Sequence, residues 1–356
     1  MKIDKPEYYQ NELVEEVDEL IKDISEMQKI ERQFINGIIR QVKPKKILEV
    51  GISSGAGTAI ILNAIKDMQE SKLYSIDYNT KWYKDKSKLS GFIVTENFKD
   101  LTDKWKLYTG GAASKFMEII GNDIDMCIMD TVHWNPGEFL DFLMVFPFLK
   151  KNAIFILHDI QIFIPRNNDL KSLTCPMLFS ALKGKKFYIE KSDLGCGYSN
   201  IGAIILDTDY IKETIEDIFF MLTFPWGYKI QNSLHIDTIK LFNKYYDEYL
   251  VSKYEQIILY NKDIELNAIQ KDIELLNTNQ KIVIDKLDNK LNELDSKLNE
   301  IDYKSNGLIN AIAWWIPIRK LRDNFRNKFK MREEKRREEK RRESLIFEYA
   351  YNKKAA

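Results

Sequence analysis

The sequence predicts an α/β protein: a mostly parallel sheet of seven strands with helices on both faces, then a helical stalk and an amphipathic C-terminal helix. Three observations carry this. Between Lys46 and Asp159, short apolar runs alternate with segments of helical period. One of those runs, Ala153-Ile-Phe-Ile-Leu157, is apolar without a break, the pattern of a strand buried on both faces. From Ser252 to Ser305 glycine and proline vanish, and Asn, Asp, Lys, Glu, Leu and Ile dominate.

Taken in order, Glu12 to Gln41 reads as two helices. Leu13, Val17, Leu20, Ile21 and Ile24 recur at helical spacing in the first, and Phe34, Ile38 and Ile39 in the second, which Pro44 closes. They are expected to cover the sheet; a lid or a dimer surface is the alternative. Strands are expected at Lys46–Val50, Leu73–Asp77, Trp105–Thr109, Ile124–Asp130 and Ala153–Asp159, with helices at Thr58–Lys66, Ala113–Ile120 and Gly137–Phe148. An irregular stretch, Pro165–Ser172, leads to a helix near Met177–Leu182. Strands at Lys186–Glu190 and Ile201–Leu206 and a helix around Ile211–Leu222 complete the sheet domain. The divisions are 1–44 as helical cover, 45–235 as the sheet domain, 236–305 as helical stalk and 306–356 as tail.

In the stalk, Leu266, Ile269, Ile273, Leu276, Val283 and Leu287 keep a three-four spacing, and Leu287, Leu291, Leu294, Leu298 and Ile301 a four-three spacing. Heptads with one phase shift near Leu287 describe both halves, so a coiled coil joining copies of the chain is expected, with Gln280 fixing its register. A single solvated helix is the alternative. In the tail, Trp314, Ile318, Leu321, Phe325 and Phe329 share a helical face bordered by Arg319, Arg322, Arg326 and Lys328. Such a face suits a headgroup interface, hence peripheral membrane contact, or docking on the protein itself. From Arg319 to Glu343 there are 13 Lys/Arg against 6 Asp/Glu, while the 356-residue chain is neutral overall. Acids interleaved through this run argue against a nucleic-acid surface. Cys127, Cys175 and Cys196 form no disulfide or zinc pattern, and Met1–Tyr9 lacks the apolar core of a signal peptide; a cytoplasmic setting is expected.

The chemistry is expected beyond the C-terminal ends of the strands, where open parallel sheets bind ligands. The first strand ends in Glu49-Val-Gly51-Ile-Ser53-Ser-Gly55-Ala-Gly57, a tight turn opening a helix. Asp77, twenty positions after Gly57, is placed to accept from a ribose diol. The spacing departs from the dinucleotide fingerprint, and Glu49 two residues before Gly51 would repel a pyrophosphate but tolerate a cationic amino-acid end. The fourth and fifth strand ends carry Asp130-Thr-Val-His133 and His158-Asp159, two of the chain's three histidines.

Glu-x-Gly-x-x-x-Gly resembles the first motif of class I S-adenosylmethionine-dependent methyltransferases. The likeness continues through Tyr74–Asp77 and Ile124–Asp130 to Ala153–Asp159 and spans roughly residues 30–225. It implies a Rossmann-like methyltransferase sheet whose cofactor set is Glu49, Gly51, Ser53, Gly55, Asp77 and Asp130. Asp130–His133 and His158-Asp159 look like the Asp-Gly-Asp-His and His-Asp elements of bacterial small-molecule and sugar O-methyltransferases. By that resemblance Asp130, Asp159 and His158 would hold a divalent ion such as magnesium, and Asp130 and His133 would be catalytic. His133 is the preferred base, its ordinary pKa being near neutral. Val132 stands where the family often has a second acid. As structural readings, His133 is a turn residue stacked by Trp134, and His158-Asp159 a cap on its strand. The expected function is methyl transfer to a hydroxyl of a sugar or other small molecule, in cell-envelope glycan synthesis. The alternatives are a nicotinamide-dependent sugar oxidoreductase, against which the glycine spacing and Glu49 argue, and a non-catalytic scaffold, which Val132 keeps open.

Overall fold

The computed structural model describes residues 12–161, 170–189, 199–315 and 319–355. The Met1–Tyr9 segment, most of Pro165–Ser172, Cys196 and Ile318 lie outside the described residues. The chain divides into two compact units, one ending at Ile264 and the other beginning at Glu265.

The first unit is built on seven strands: β1 (Lys46–Val50), β2 (Lys72–Asp77), β3 (Trp105–Thr109), β4 (Ile124–Met129), β5 (Leu149–His158), β6 (Gly184–Tyr188) and β7 (Ile201–Leu206). Their order is β3-β2-β1-β4-β5-β7-β6. All pairs from β3 to β5 are parallel; β7 runs antiparallel to both β5 and β6. This is the sheet expected from the sequence. Its order reverses between β1 and β4, which opens a crevice at their C-terminal ends.

Period-two alternation assigns each strand to two cores. Ile47, Met126, Ile128, Ile154 and Ile156 face one layer, and Leu48, Val50, Cys127, Met129, Phe155 and Leu157 the other. The first layer holds α1 (Glu12–Ile21), α2 (Lys29–Val42), α3 (Ala56–Ile65) and α4 (Phe92–Asn97). The second holds α5 (Ala113–Ile120), α6 (Gly137–Val145), α7 (Thr174–Ala181), α8 (Thr208–Glu213), α9 (Ile215–Met221) and α10 (Asn232–Tyr245). The helix expected to reach Phe148 gives way to a 3-10 turn at Phe146–Phe148, which contains Pro147.

The N-terminal pair α1 and α2 is riveted by a buried ion pair, Arg32 to Asp18 at 2.6 Å. Glu31 closes the N-terminus of α2 by accepting from the Gln28 amide at 2.7 Å, and also meets His158 Nε2 at 3.2 Å. The cover is thereby bonded to the end of β5.

The second unit contains most of α11 (Glu248–Trp314) and all of α12 (Arg319–Ala355). From 266 to 305 every residue is exposed. Near the end of α11, Asn306 donates to Glu333 at 3.2 Å and the Arg322 guanidinium lies 5.6 Å over the Trp314 ring, so α12 doubles back beside it. No helix among the described residues is long and apolar enough to cross a membrane.

Candidate active site

The β1–α3 turn is shaped by three glycines with different tasks. Gly51 has φ +90 and lies so close to the end of β4 that a Cβ would sit 1.7 Å from the Asp130 carbonyl oxygen. Gly55 has φ +92, and a Cβ there would meet Gly91 Cα at 2.8 Å. Gly57 belongs to α3, where a Cβ would stand 3.4 Å from a Glu49 oxygen. Asp77 at the end of β2 ties the turn down: Oδ2 accepts from the amides of Ile52 (3.2 Å) and Ser53 (2.9 Å), and Oδ1 from Asn79 (2.8 Å). Burial raises its pKa, against the pull of those amides. Ser53, at φ 53, accepts from Trp82 Nε1 at 3.2 Å.

Beneath the turn lies Glu49, on the face of β1 that meets α3. Its Oε2 accepts from Ser75 (2.7 Å) and Thr58 (2.9 Å), and Ser75 accepts in turn from Trp105 Nε1 at 2.8 Å. Burial pushes its pKa up to about 7 despite these hydroxyls, with Asp130 and Asp77 adding repulsion. Between about pH 4.5 and 7 the folded protein therefore holds a proton that the unfolded chain has released, and this contribution to stability falls as pH rises through that window. Glu49→Gln removes it. The melting temperature of the variant relative to the parent should climb by about 5 °C from about pH 5.5 to about pH 8, read by scanning calorimetry. A constant difference would mean that Glu49 is not a buried, titrating acid.

The ends of β4 and β5 bring Asp130, His133, His158 and Asp159 into one cluster. His133 Nε2 lies 2.9 Å from Asp159 Oδ2 and 3.4 Å from Asp130 Oδ1, and its Nδ1 lies 3.4 Å from Glu138. Glu138 also accepts from the His133 amide at 2.7 Å and the Thr131 hydroxyl at 3.0 Å. Asp159 accepts from Asn200 Nδ2 at 2.5 Å. His133 and Asp159 have φ of 59 and 56, conformations that L residues hold only where their surroundings enforce them.

Burial alone would lower the pKa of His133, but its bonds to Asp159, Cys175 and Glu138 hold it well above the ordinary value. Asp159 is held far below the carboxylate range by His158 and His133, against burial. His133 is thus held toward its protonated form between acids. A general base must be neutral at rest, so this setting works against the base role expected for it.

Oxygens of Asp130 and Asp159 and a nitrogen of His133 all lie within 4.8 Å of one another; the two carboxylates fit a divalent cation, and His133 could join them only after losing its proton. His158, expected as a third ligand, takes another place. It is buried, with Nε2 on Glu31 and Nδ1 3.4 Å from both Asp130 and Asp159, behind the donors rather than among them.

A cavity of 540 Å³ runs from the glycine turn past Asp77 to Asp130 and His133. Its walls include Glu49, Gly51, Ser53 and Gly57, so the hollow is open rather than filled by the protein's own side chains. The size is that of a small-molecule site. Several wall residues were not anticipated from sequence. Ser25, Glu26 and Met27 come from the α1–α2 loop, Gly111, Ala112 and Ala113 from the end of β3, and Tyr228 to Gln231 from the approach to α10. Asp141 of α6 is the chemically telling one. It lines the cavity, bonds Thr131, and has its pKa pushed up to about 7 by burial and by Glu138. Its only sequence signal was an acid interrupting an apolar helix. Val132 packs over Gly137, where a Cβ would be 2.2 Å from Val132 Cγ1, and so makes an apolar wall.

A family model described as a methyltransferase domain matches residues 48–160, the stretch that supplies the glycine turn, Asp77, Asp130, His133 and Asp159. Among curated proteins none matches the sequence. Solved structures similar to the chain include the Streptomyces achromogenes O-methyltransferase TomG, involved in tomaymycin synthesis, in complex with SAM. It is 12% identical over 55% of this chain and 90% of its own, with a TM-score of 0.41. An O-methyltransferase from Bacillus cereus in complex with SAH is 14% identical over 55% and 91%, TM-score 0.42. The SAH-bound Podospora anserina methyltransferase PaMTH1 is 15% identical over 55% and 88%, TM-score 0.41. The oxidoreductase and scaffold readings find no support in these comparisons. The matched residues and the cavity together define the site.

Proposed function

We propose that the protein transfers a methyl group from S-adenosylmethionine to a hydroxyl of a sugar or similar polyhydroxylated small molecule. The observation that carries this is the open cavity between the glycine turn and Asp77, floored by backbone at Gly51 and continuous with Asp130 and His133. The cofactor fits what is present: the approach of Gly51 to β4 leaves room for no side chain, and Asp77 retains acceptor capacity for a ribose diol. Asp77 and Asp130 give the pocket a negative field that suits a cation, and Glu49 adds to it once it ionises above about pH 7. The small residues Gly111, Ala112 and Ala113 line the cavity beside Asp77, where a purine ring would lie.

S-adenosylmethionine supplies a sulfonium methyl, displaced in line by the acceptor oxygen as the carbon–sulfur bond breaks and its electron pair stays on sulfur. The chain must orient the hydroxyl and take its proton. We assign the proton to Asp141, which lines the cavity and titrates near neutrality. His133, held toward its protonated form, positions Asp130 and Asp159. Asp130 and Asp159 would hold a divalent ion, which would lower the pKa of a bound hydroxyl. For the acceptor, the cavity lining offers Tyr78, Asn79, Lys81, Tyr83, Tyr228 and Gln231, aromatic rings together with hydrogen-bonding groups, as a sugar ring requires.

Isothermal titration with S-adenosylmethionine should give saturable heat, and its absence would end this reading. Asp141→Asn should lower kcat by about 100-fold or more while leaving cofactor affinity within about twofold. In the parent the rate should rise with pH through about 7, because Asp141 accepts only when ionised, and in the variant that limb should be gone. A variant with the parental profile removes Asp141 from the step.

A further inference from the structure

We propose that α11 is one strand of a parallel, in-register coiled coil made with a second copy of this chain. The inference does not depend on the reaction assigned above. The seam residues from Leu266 to Ile301 are between 39% (Leu298) and 63% (Leu266) exposed, within a run of helix, 266 to 305, that no described residue covers. A helix of this length keeps its form in water chiefly by burying an apolar face, so the seam calls for a partner.

The charges flanking the seam say which partner. With Leu291 and Leu298 at a positions and Leu294 and Ile301 at d, Lys290 and Lys297 fall at g, and Asp295 and Asp302 at e. In a parallel coiled coil a g residue faces the e residue five positions on in the other helix. A second copy in register therefore sets Lys290 against Asp295 and Lys297 against Asp302, each pair occurring twice by symmetry. An antiparallel arrangement would set g against g and e against e, lysine on lysine and aspartate on aspartate. Gln280, an a position of the preceding heptads, meets its own counterpart only in the same register. The single phase shift between Leu287 and Leu291 is a stutter, absorbed by local unwinding of the supercoil.

Light scattering on the full chain should return a mass at least twice 42.0 kDa. A mass of one chain at micromolar concentration overturns the proposal. Leu291→Asp with Leu294→Asp should reduce the mass to a single chain while the cooperative melt of the first unit persists; undiminished assembly overturns it as well. Orientation is read separately. Leu266→Cys and Leu298→Cys, made one at a time, should each cross-link to their own counterpart on mild oxidation. An antiparallel pair can bring at most one of these positions opposite itself. Cross-linking at only one site, or at neither, sinks the parallel register. Lys290→Asp with Lys297→Asp should weaken assembly at least tenfold at low salt, and adding Asp295→Lys with Asp302→Lys should restore it.

Discussion

Gly51→Ala should abolish methyl transfer, lowering turnover by more than about 100-fold and the melting temperature by several degrees. The obstacle is backbone. The new Cβ would lie 1.7 Å from the Asp130 carbonyl oxygen and 2.7 Å from its carbon, and φ at this position is +90. The left-handed conformation alone costs an alanine about 1–3 kcal/mol. Neither side can step aside cheaply, because β1 and β4 are paired up to Val50 and Met129, and the Asp130 amide donates to Val50 at 2.9 Å. Relief must come from moving the turn or the end of β4, which carry the cofactor floor and Asp130. Gly57→Ala is the matched control. Its Cβ would meet a Glu49 oxygen at 3.4 Å and Met27 at 4.0 Å, both ordinary contacts, and alanine inside a helix gains about 0.5–1 kcal/mol over glycine. That variant should melt no lower than the parent and lose far less turnover than Gly51→Ala, since its Cβ displaces no backbone. Equal activity of Gly51→Ala and Gly57→Ala would show that the close approach at Gly51 has no part in the site.

The two glycines also mark what a sequence can and cannot disclose. The turn, its strand and its helix were legible, because an apolar run broken by glycines and resumed at helical spacing has few other solutions. Asp77, Asp130 and Asp159 were legible as strand ends. Which glycine touches β4 was not, since that contact joins positions 51 and 130, and nothing local reports it. The same holds for the antiparallel course of β7, because strand direction is set by the connection and not by the strand's own residues. β5 begins at Leu149, four residues before its apolar run, since Lys150, Lys151 and Asn152 continue the strand toward solvent. α10 was read as the start of the stalk and not as a layer of the sheet domain, because its buried face mixes His235 and Thr238 with Leu241 and Phe242, which blurs the apolar period. Asp141 reads as a defect in an apolar helix until the fold buries it beside Glu138. His133 read as a base because an isolated imidazole titrates near neutrality; four nearby groups, Asp159, Cys175, Glu138 and Asp130, set its charge instead.

Asp159→Asn should separate the cluster from the cofactor pocket. The change keeps shape and removes one charge from a set in which His133 and His158 both lean on Asp159, at 2.9 and 3.4 Å. Truncating one partner of a buried ion pair leaves the other uncompensated, at about 3–5 kcal/mol. A fall in melting temperature of about 10 °C is expected at neutral pH. The sign of its pH dependence follows from the shifts. Asp159 is depressed, so its stabilisation is present above the unfolded carboxylate pKa and is lost only as pH falls toward its low folded value. His133 is raised, so its stabilisation is fully present below the unfolded imidazole pKa and is lost progressively as pH rises from there toward its high folded value. Both contributions act together below about pH 6.5, so the deficit of the variant should stay nearly level from about pH 5 to about pH 6.5 and shrink above it. Turnover should fall by about 100-fold, because Asp130 and His133 lose the group that fixes them. S-adenosylmethionine affinity should hardly change, since Glu49, Gly51, Ser53 and Asp77 line the cavity and are left as they were. Binding of manganese, titrated by its paramagnetic relaxation of water, should weaken at least tenfold if Asp130 and Asp159 are the donors. A variant that loses cofactor affinity in step with turnover would place Asp159 in the cofactor pocket; one that keeps turnover would make the cluster a purely structural link between α2 and the end of β5.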